Sequence, residues 1–245
     1  MFVNTSYSCL ATLDPVHSFR PVWKPKFITE LVREDRCHMN GLGMLNGRPK
    51  YVTAVSQTDV ANGWHGRPLP KGVIIDVETD EVVTDQLSMP HSPRVAPDGK
   101  LYAVDSGRGF LVEVDKRTGD LRNVAFCPGF LRGLAFINGH ALVTVSKPRY
   151  GKFEAMPISE ELTSRNLDPI CAVLVIDLAA GESCAAQADP VILTQAGSQD
   201  RRQRFDAELD DDEIEAPDRN DKQGQEDVAE RHQATRSRAA SRGPN

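Results

Sequence analysis

Aromatic residues are scarce in this 245-residue chain, at 6%. Long apolar runs are missing too: Ala172-Val-Leu-Val-Ile176 is typical, far short of the ~20 residues a membrane-spanning helix needs. The opening Met1-Phe-Val-Asn-Thr-Ser-Tyr-Ser8 has no basic stretch followed by an apolar one, so no secretory signal is read and no membrane partner is expected. There is no basic block in the first 190 residues, and 29 Lys and Arg stand against 35 Asp and Glu, for a net charge of −6. Nucleic acid is therefore not the expected partner. The five cysteines (Cys9, Cys37, Cys127, Cys171 and Cys184) are odd in number and contain no C-x-x-C pair. That pattern excludes a zinc cluster and a disulfide framework, and points to a reducing cytoplasm.

Two compositions share the chain. Residues 191–245 are dense in both charges, include Asp210-Asp-Asp-Glu213, and from 195 onward hold only four large apolar residues: Phe205, Leu209, Ile214 and Val228. Such a segment buries too little surface to offset the entropy of ordering it, and it reads as a disordered tail. It fits an acidic interaction tail, a solvated appendage, or a non-native, frameshifted ending on a truncated domain.

Residues 1–190 consist instead of short β-rich runs cut by Gly, Pro, Asn-Gly and Asp-Gly, as in Tyr51-Val-Thr-Ala-Val55 and Phe110-Leu-Val-Glu-Val114. Turn signals at this spacing predict an all-β domain. One short helix is expected in Ile158-Ser-Glu-Glu-Leu162, capped by Ser159.

The runs repeat. His38-Met-Asn-Gly-Leu-Gly-Met-Leu-Asn-Gly47, His91-Ser-Pro-Arg-Val-Ala-Pro-Asp-Gly99 and Phe130-Leu-Arg-Gly-Leu-Ala-Phe-Ile-Asn-Gly139 superimpose. Each is a strand ending in a turn whose two residues tolerate positive φ. A second strand follows each, then a loop, a third strand, a turn opened by Asp76, Asp115 or Asp177, and a fourth strand. Four strands per step of roughly 40–50 residues describe a β-propeller blade. The reading is an incomplete β-propeller of about three and a half blades, with a partial blade at 1–36 and blades at 37–88, 89–129 and 130–190. The partial blade begins at its second strand, so a fragment of a longer propeller is expected. The alternative is a native half-propeller that closes as a homodimer.

In this topology the starts of the first strands and the loops 57–71, 106–109 and 147–170 open on one face. His38, Asn40, His91, Arg94, Asp105 and Arg132 are the candidate ligand contacts there, and Trp64 is a candidate stacking surface. His38 and His91, at equivalent positions, suit a metal pair, an acid–base pair or an anion contact. With Asp105 they are also the candidate ligands of a divalent metal. The guanidiniums of Arg94 and Arg132 suit a carboxylate or phosphate, or an ion pair with Asp105 or Glu113. Asp76, Asp115 and Asp177 read as turn residues. Cys37 points away from His38 on a strand, which argues against a thiolate–imidazole pair. The loop 147–170 is long enough for a lid over the mouth.

The strings Glu34-Asp-Arg-Cys-His-Met-Asn-Gly-Leu42, Ser88-Met-Pro-His-Ser-Pro-Arg94, Val104-Asp-Ser-Gly107 and Arg132-Gly-Leu-Ala-Phe136 occur in order. With Asn4-Thr-Ser-Tyr-Ser-Cys-Leu-Ala-Thr-Leu13, they resemble an uncharacterised bacterial family of conserved hypothetical proteins over roughly residues 2–185. More distantly, the blade pattern looks like six-bladed propellers of the gluconolactonase and calcium-dependent phosphotriesterase kind. That likeness implies Glu, Asn and Asp around a central divalent ion, where this chain offers His38 and His91. Three functions follow as expectations: binding of a small polar or anionic molecule at the mouth, a metal-assisted hydrolase or lyase of lactonase-like type, or a scaffold for other proteins.

Overall fold

The computed structural model describes residues 1–65, 71–148, 153 and 156–179. The chain divides into the units Met1–Thr194 and Gln195–Asn245, and every described residue belongs to the first. The expected tail, the last strand after Asp177, Cys184 and parts of the two longest loops lie outside the described residues.

Fourteen strands are described, in four antiparallel sheets. The first holds β1 (Phe2–Asn4), β2 (Cys9–Thr12) and β3 (Arg20–Trp23). The second runs β4 (Met39–Leu45), β5 (Arg48–Ala54), β6 (Gly72–Asp76) and β7 (Val82–Leu87). The third runs β8 (Pro90–Val95), β9 (Leu101–Asp105), β10 (Phe110–Val114) and β11 (Leu121–Phe126). The fourth holds β12 (Phe130–Ile137), β13 (His140–Ser146) and β14 (Ala172–Asp177). The domain is all-β, and sequential meanders of three or four strands are consistent with an incomplete β-propeller. Among the described residues, no helix is long and apolar enough to cross a membrane.

Turn chemistry sets the hairpins. Asn46-Gly47 and Asn138-Gly139 both adopt positive φ at both residues, at 51° and 75° and at 47° and 77°. In Asp98-Gly99 only the glycine does, at 82°, with its N–H on Ala96 O. The third hairpin therefore departs from the expected pair of left-handed residues. Asp76, Asp115 and Asp177 each accept the backbone N–H two residues on, from Glu78, Arg117 and Ala179 at 2.9, 2.7 and 2.9 Å. These are turn-forming aspartates, as the sequence indicates.

The core explains why strands such as β9 read as unbroken apolar runs. Alternate residues on a strand face opposite sides of its sheet. Leu101 and Ala103 pack with Tyr51, Ile74 and Leu87 of the second sheet, while Tyr102 and Val104 pack with Leu131, Leu134 and Val143 of the fourth. The third sheet is thus covered on both faces. The second is also covered twice, since Val52, Ala54, Val73 and Ile75 pack with Leu10 of the first. Trp23 completes that contact by packing on the same cluster and donating to Asp80 at 2.7 Å. This stacking brings β4, β8 and β12 side by side, with β8 in the middle.

Helix α1 spans Ile158–Ser164, one turn longer than a minimal helix and capped at Pro157 without any side-chain bond. Ser159 is therefore not the cap; the helix starts before it, and Ser159 lies within the first turn. Its buried Ile158 and Leu162 pack with Phe130 and Phe153, and Ile158 N–H bonds Gly107 O at 2.9 Å. The described part of the loop 147–170 is thus fastened to the β9–β10 turn.

Candidate functional site

The first strands of the second, third and fourth sheets are all irregular near their starts. Pairing slips between Met39 and Gly41, between His91 and Arg94, and between Leu131 and Leu134. Bulges re-aim side chains out of the ladder. Here they turn Asn40, His91 and Arg132 toward one another.

His91 is the hub, with 7% of its surface exposed. Its Nδ1 lies 3.0 Å from Met89 O and 3.1 Å from Ser106 Oγ. The carbonyl can only accept, and Ser106 Oγ already donates to Leu131 O at 2.6 Å, so Nδ1 carries the proton. Its Nε2 lies 2.8 Å from Arg132 Nη1 and 3.3 Å from Asn40 Nδ2. A guanidinium nitrogen can only donate, so Nε2 accepts. Asn40 is oriented by Thr53, whose hydroxyl donates to Oδ1 at 2.7 Å. The imidazole is neutral, in one tautomer. Burial and then the Arg132 charge push its pKa down to about 4, and His38 adds to the effect.

Arg132 is exposed, and its Cζ stands 4.4 Å from the centre of the Phe130 ring, a cation–π contact. The Phe130 ring also meets His91 edge-on at 5.7 Å. Ring and imidazole hold the guanidinium from two sides.

His38 lies immediately before β4, with Val55 N–H on its carbonyl, whereas His91 lies within β8, opposite Val104. The surroundings of His38 differ as well. Nδ1 lies 2.8 Å from Asp35 Oδ2, and the same oxygen accepts from Trp64 Nε1 at 3.1 Å. The Trp64 ring centre lies 4.0 Å from that of His38 and 3.7 Å from that of His65. Trp64 thus stacks on imidazoles of its own chain.

Two expected residues stand elsewhere. Arg94 is half-buried and donates to the carbonyls of Leu42 and Pro93, tying β8 to β4 instead of joining the cluster. Asp105 is fully buried behind it. One of its oxygens accepts from Ser88 N–H at 2.8 Å, and the other lies 3.3 Å from Arg108. Burial pushes its carboxyl up to about 7, against the opposing effects of Ser88 and Arg108. Glu113, one of the partners weighed for the two arginines, pairs with Lys100 and Arg122. Cys37 is buried and its thiol is pushed up to about 11, so it is no thiolate nucleophile.

These donors do not fit the divalent cation that the distant resemblance implies. Arg132 occupies the lone pair of His91, and Asp35 takes Nδ1 of His38. Among the described residues, no group of three or more His, Cys, Asp or Glu is placed to hold a metal ion.

Residues 1–188, which include every residue of this cluster, match a family described as a domain of unknown function, DUF4915. The chain belongs to this family. A search of curated proteins finds no match. In this DUF4915 domain the contacts least visible in sequence are Thr53, Ser106 and Phe130. Ser106 lies inside the string Val104-Asp-Ser-Gly107 and Phe130 opens a repeated segment, yet nothing local indicates that they orient a histidine. Asp35 stands three residues before His38, and that spacing is the one local signal that could have found it.

Proposed function

We propose that this domain binds a small anionic molecule at the mouth formed by the starts of β4, β8 and β12. One observation carries the reading: an exposed guanidinium, Arg132, is fixed by the lone pair of a buried neutral histidine and by an aromatic face. Holding a cation rigid before the ligand arrives lowers the entropy lost on binding, and a planar guanidinium matches a carboxylate with two parallel bonds. Asn40 and Trp64 supply a neutral polar edge and an apolar wall.

In the same proposal the four sheets are repeated blades of a β-propeller, and the first strands line its channel. The site is a cytoplasmic one for a small molecule, without nucleic acid or membrane. The free cysteines Cys9, Cys37, Cys127 and Cys171 support a reducing compartment. Thermal unfolding of the 245-residue chain against phosphate, acetate, succinate and malate tests the reading. A carboxylate is expected to raise Tm in a saturable way, and Arg132→Gln to abolish the rise. No response to any of the four overturns it.

A further inference from the structure

We infer, independently of the anion site, that the domain closes as a two-fold dimer in which the outward face of the fourth sheet seats the first sheet of a second copy.

Strands covered on both faces read as unbroken apolar runs, whereas a sheet with one face in water alternates. β13 and β14 contain Ala141-Leu-Val-Thr-Val145 and Ala172-Val-Leu-Val-Ile176, which read like β9. One of their faces is occupied, because Ala141, Val143 and Leu174 pack with Tyr102 and Val104 of the third sheet. The other carries Ala135, Leu142 and Val175 in one row and Thr144 opposite Val173 in another. None of these five belongs to a described core cluster, and Ala135 and Thr144 are exposed. They are small or branched, and none is charged.

The first sheet has a matching surplus. Val3, Leu10 and Trp23 pack on the second sheet, and the alternate row runs Phe2, Ala11 and Pro21. The small Ala11 is buried, but Phe2 is 37% exposed and the neighbouring Val22 45%. With Met1, Leu13 and Val16, five of the twelve exposed large apolar side chains among the described residues fall between Met1 and Val22. Apolar surface gathered in this way marks an interaction face.

Within the chain, apolar sheet faces are met by the next sheet, so the partner that fits these two is a sheet of the same fold. Three strands ~4.8 Å apart, each about five residues at ~3.4 Å, present a face of ~250 Å². One contact between two such faces buries only about half of the ~1,000 Å² that a stable interface needs. A two-fold axis sets the fourth sheet of each copy on the first sheet of the other. It doubles the buried area and leaves neither face open.

Light scattering on the size-separated 245-residue chain tests this. Twice the mass of one chain is expected at micromolar protein. Phe2→Asp and Leu142→Lys are each expected to run as monomers, since either one buries a charge in both contacts of its own dimer. Mixed in equal amounts, the two are expected to pair again, because one contact is then intact and the other joins opposite charges. Ala135→Lys serves if Leu142→Lys does not fold. A monomeric wild type overturns the dimer, whether the faces are bare or covered by the chain itself. A dimer that survives either single variant, or a mixture that stays monomeric, overturns the pairing of the first sheet with the fourth.

Discussion

Nη1 of Arg132 donates to Nε2 of His91 across 2.8 Å, though the two residues lie 41 positions apart on neighbouring sheets. The bond fixes the protonation of one side chain and the position of the other. Protonating His91 would set two positive donors face to face, so the pair is stable only while the ring stays neutral.

Arg132→Gln should therefore raise the pKa of His91. Burial, the larger cause, persists, so the value is expected to rise from about 4 and still remain below the ordinary histidine range. Ring-nitrogen NMR across pH 3–8 reads it. An unchanged value would mean that the guanidinium does not weigh on the ring.

Stability should respond to acid through two buried groups with opposite signs. His91 titrates near 4 in the fold and near ~6.5 unfolded. Its contribution is full above the unfolded value and is lost as pH falls from about 6.5 to about 4. Asp105 titrates near 7 in the fold and near ~3.9 unfolded, so the fold binds its proton first and gains stability as pH falls from about 7 to about 4. The ceilings are about 3 and about 4 kcal/mol. Urea unfolding should show His91→Gln gaining on the wild type toward acid and Asp105→Asn losing. Difference slopes of the same sign would contradict this.

The bulge that aims Asn40 needs room. A Cβ on Gly41 would strike Thr53 Oγ1 and come within 2.8 Å of Pro93 Cδ and 2.9 Å of the Ser92 nitrogen. Gly41→Ala should cost about 1–3 kcal/mol and weaken carboxylate binding, because Thr53 is the residue that orients Asn40. Denaturant midpoints and a succinate titration check both. A variant as stable as the wild type would show that β4 and β8 are not packed this closely.

Cysteine labelling probes the core. Cys171 is exposed, whereas Cys9, Cys37 and Cys127 are buried, and burial pushes the Cys127 thiol up to about 12. A maleimide should modify Cys171 in the native protein and reach Cys37 and Cys127 only on unfolding, as mapped by mass spectrometry. Native labelling of Cys127 would place the third and fourth sheets apart.

The architecture was legible because its signals are local. Asn46-Gly47 and Asn138-Gly139 dictate their hairpins, and alternate residues of 101–104 had to be covered on both faces wherever the neighbouring sheets came from. Of the candidate residues, the sequence pointed to three that the structure bonds to one another. The strand starts pointed to Asn40, His91 and Arg132, and these three meet in the structure. Their bonds were not legible, since they are set by bulges and by Ser106, Thr53 and Phe130 from distant positions. Arg94 shows the limit: it stands in the same strand as His91, yet the slip in pairing turns it onto the β4 backbone. Ser159 shows another, because the helix is held by the packing of Ile158 and Leu162 and needs no cap.

Long-range proton–nitrogen spectra of the histidine rings, recorded while succinate is added, test the anion site most directly. The account predicts a saturable displacement of the His91 Nε2 signal as the carboxylate engages Arg132, absent in Arg132→Gln and weakened by added salt. A His91 signal that stays fixed at saturating succinate would contradict it.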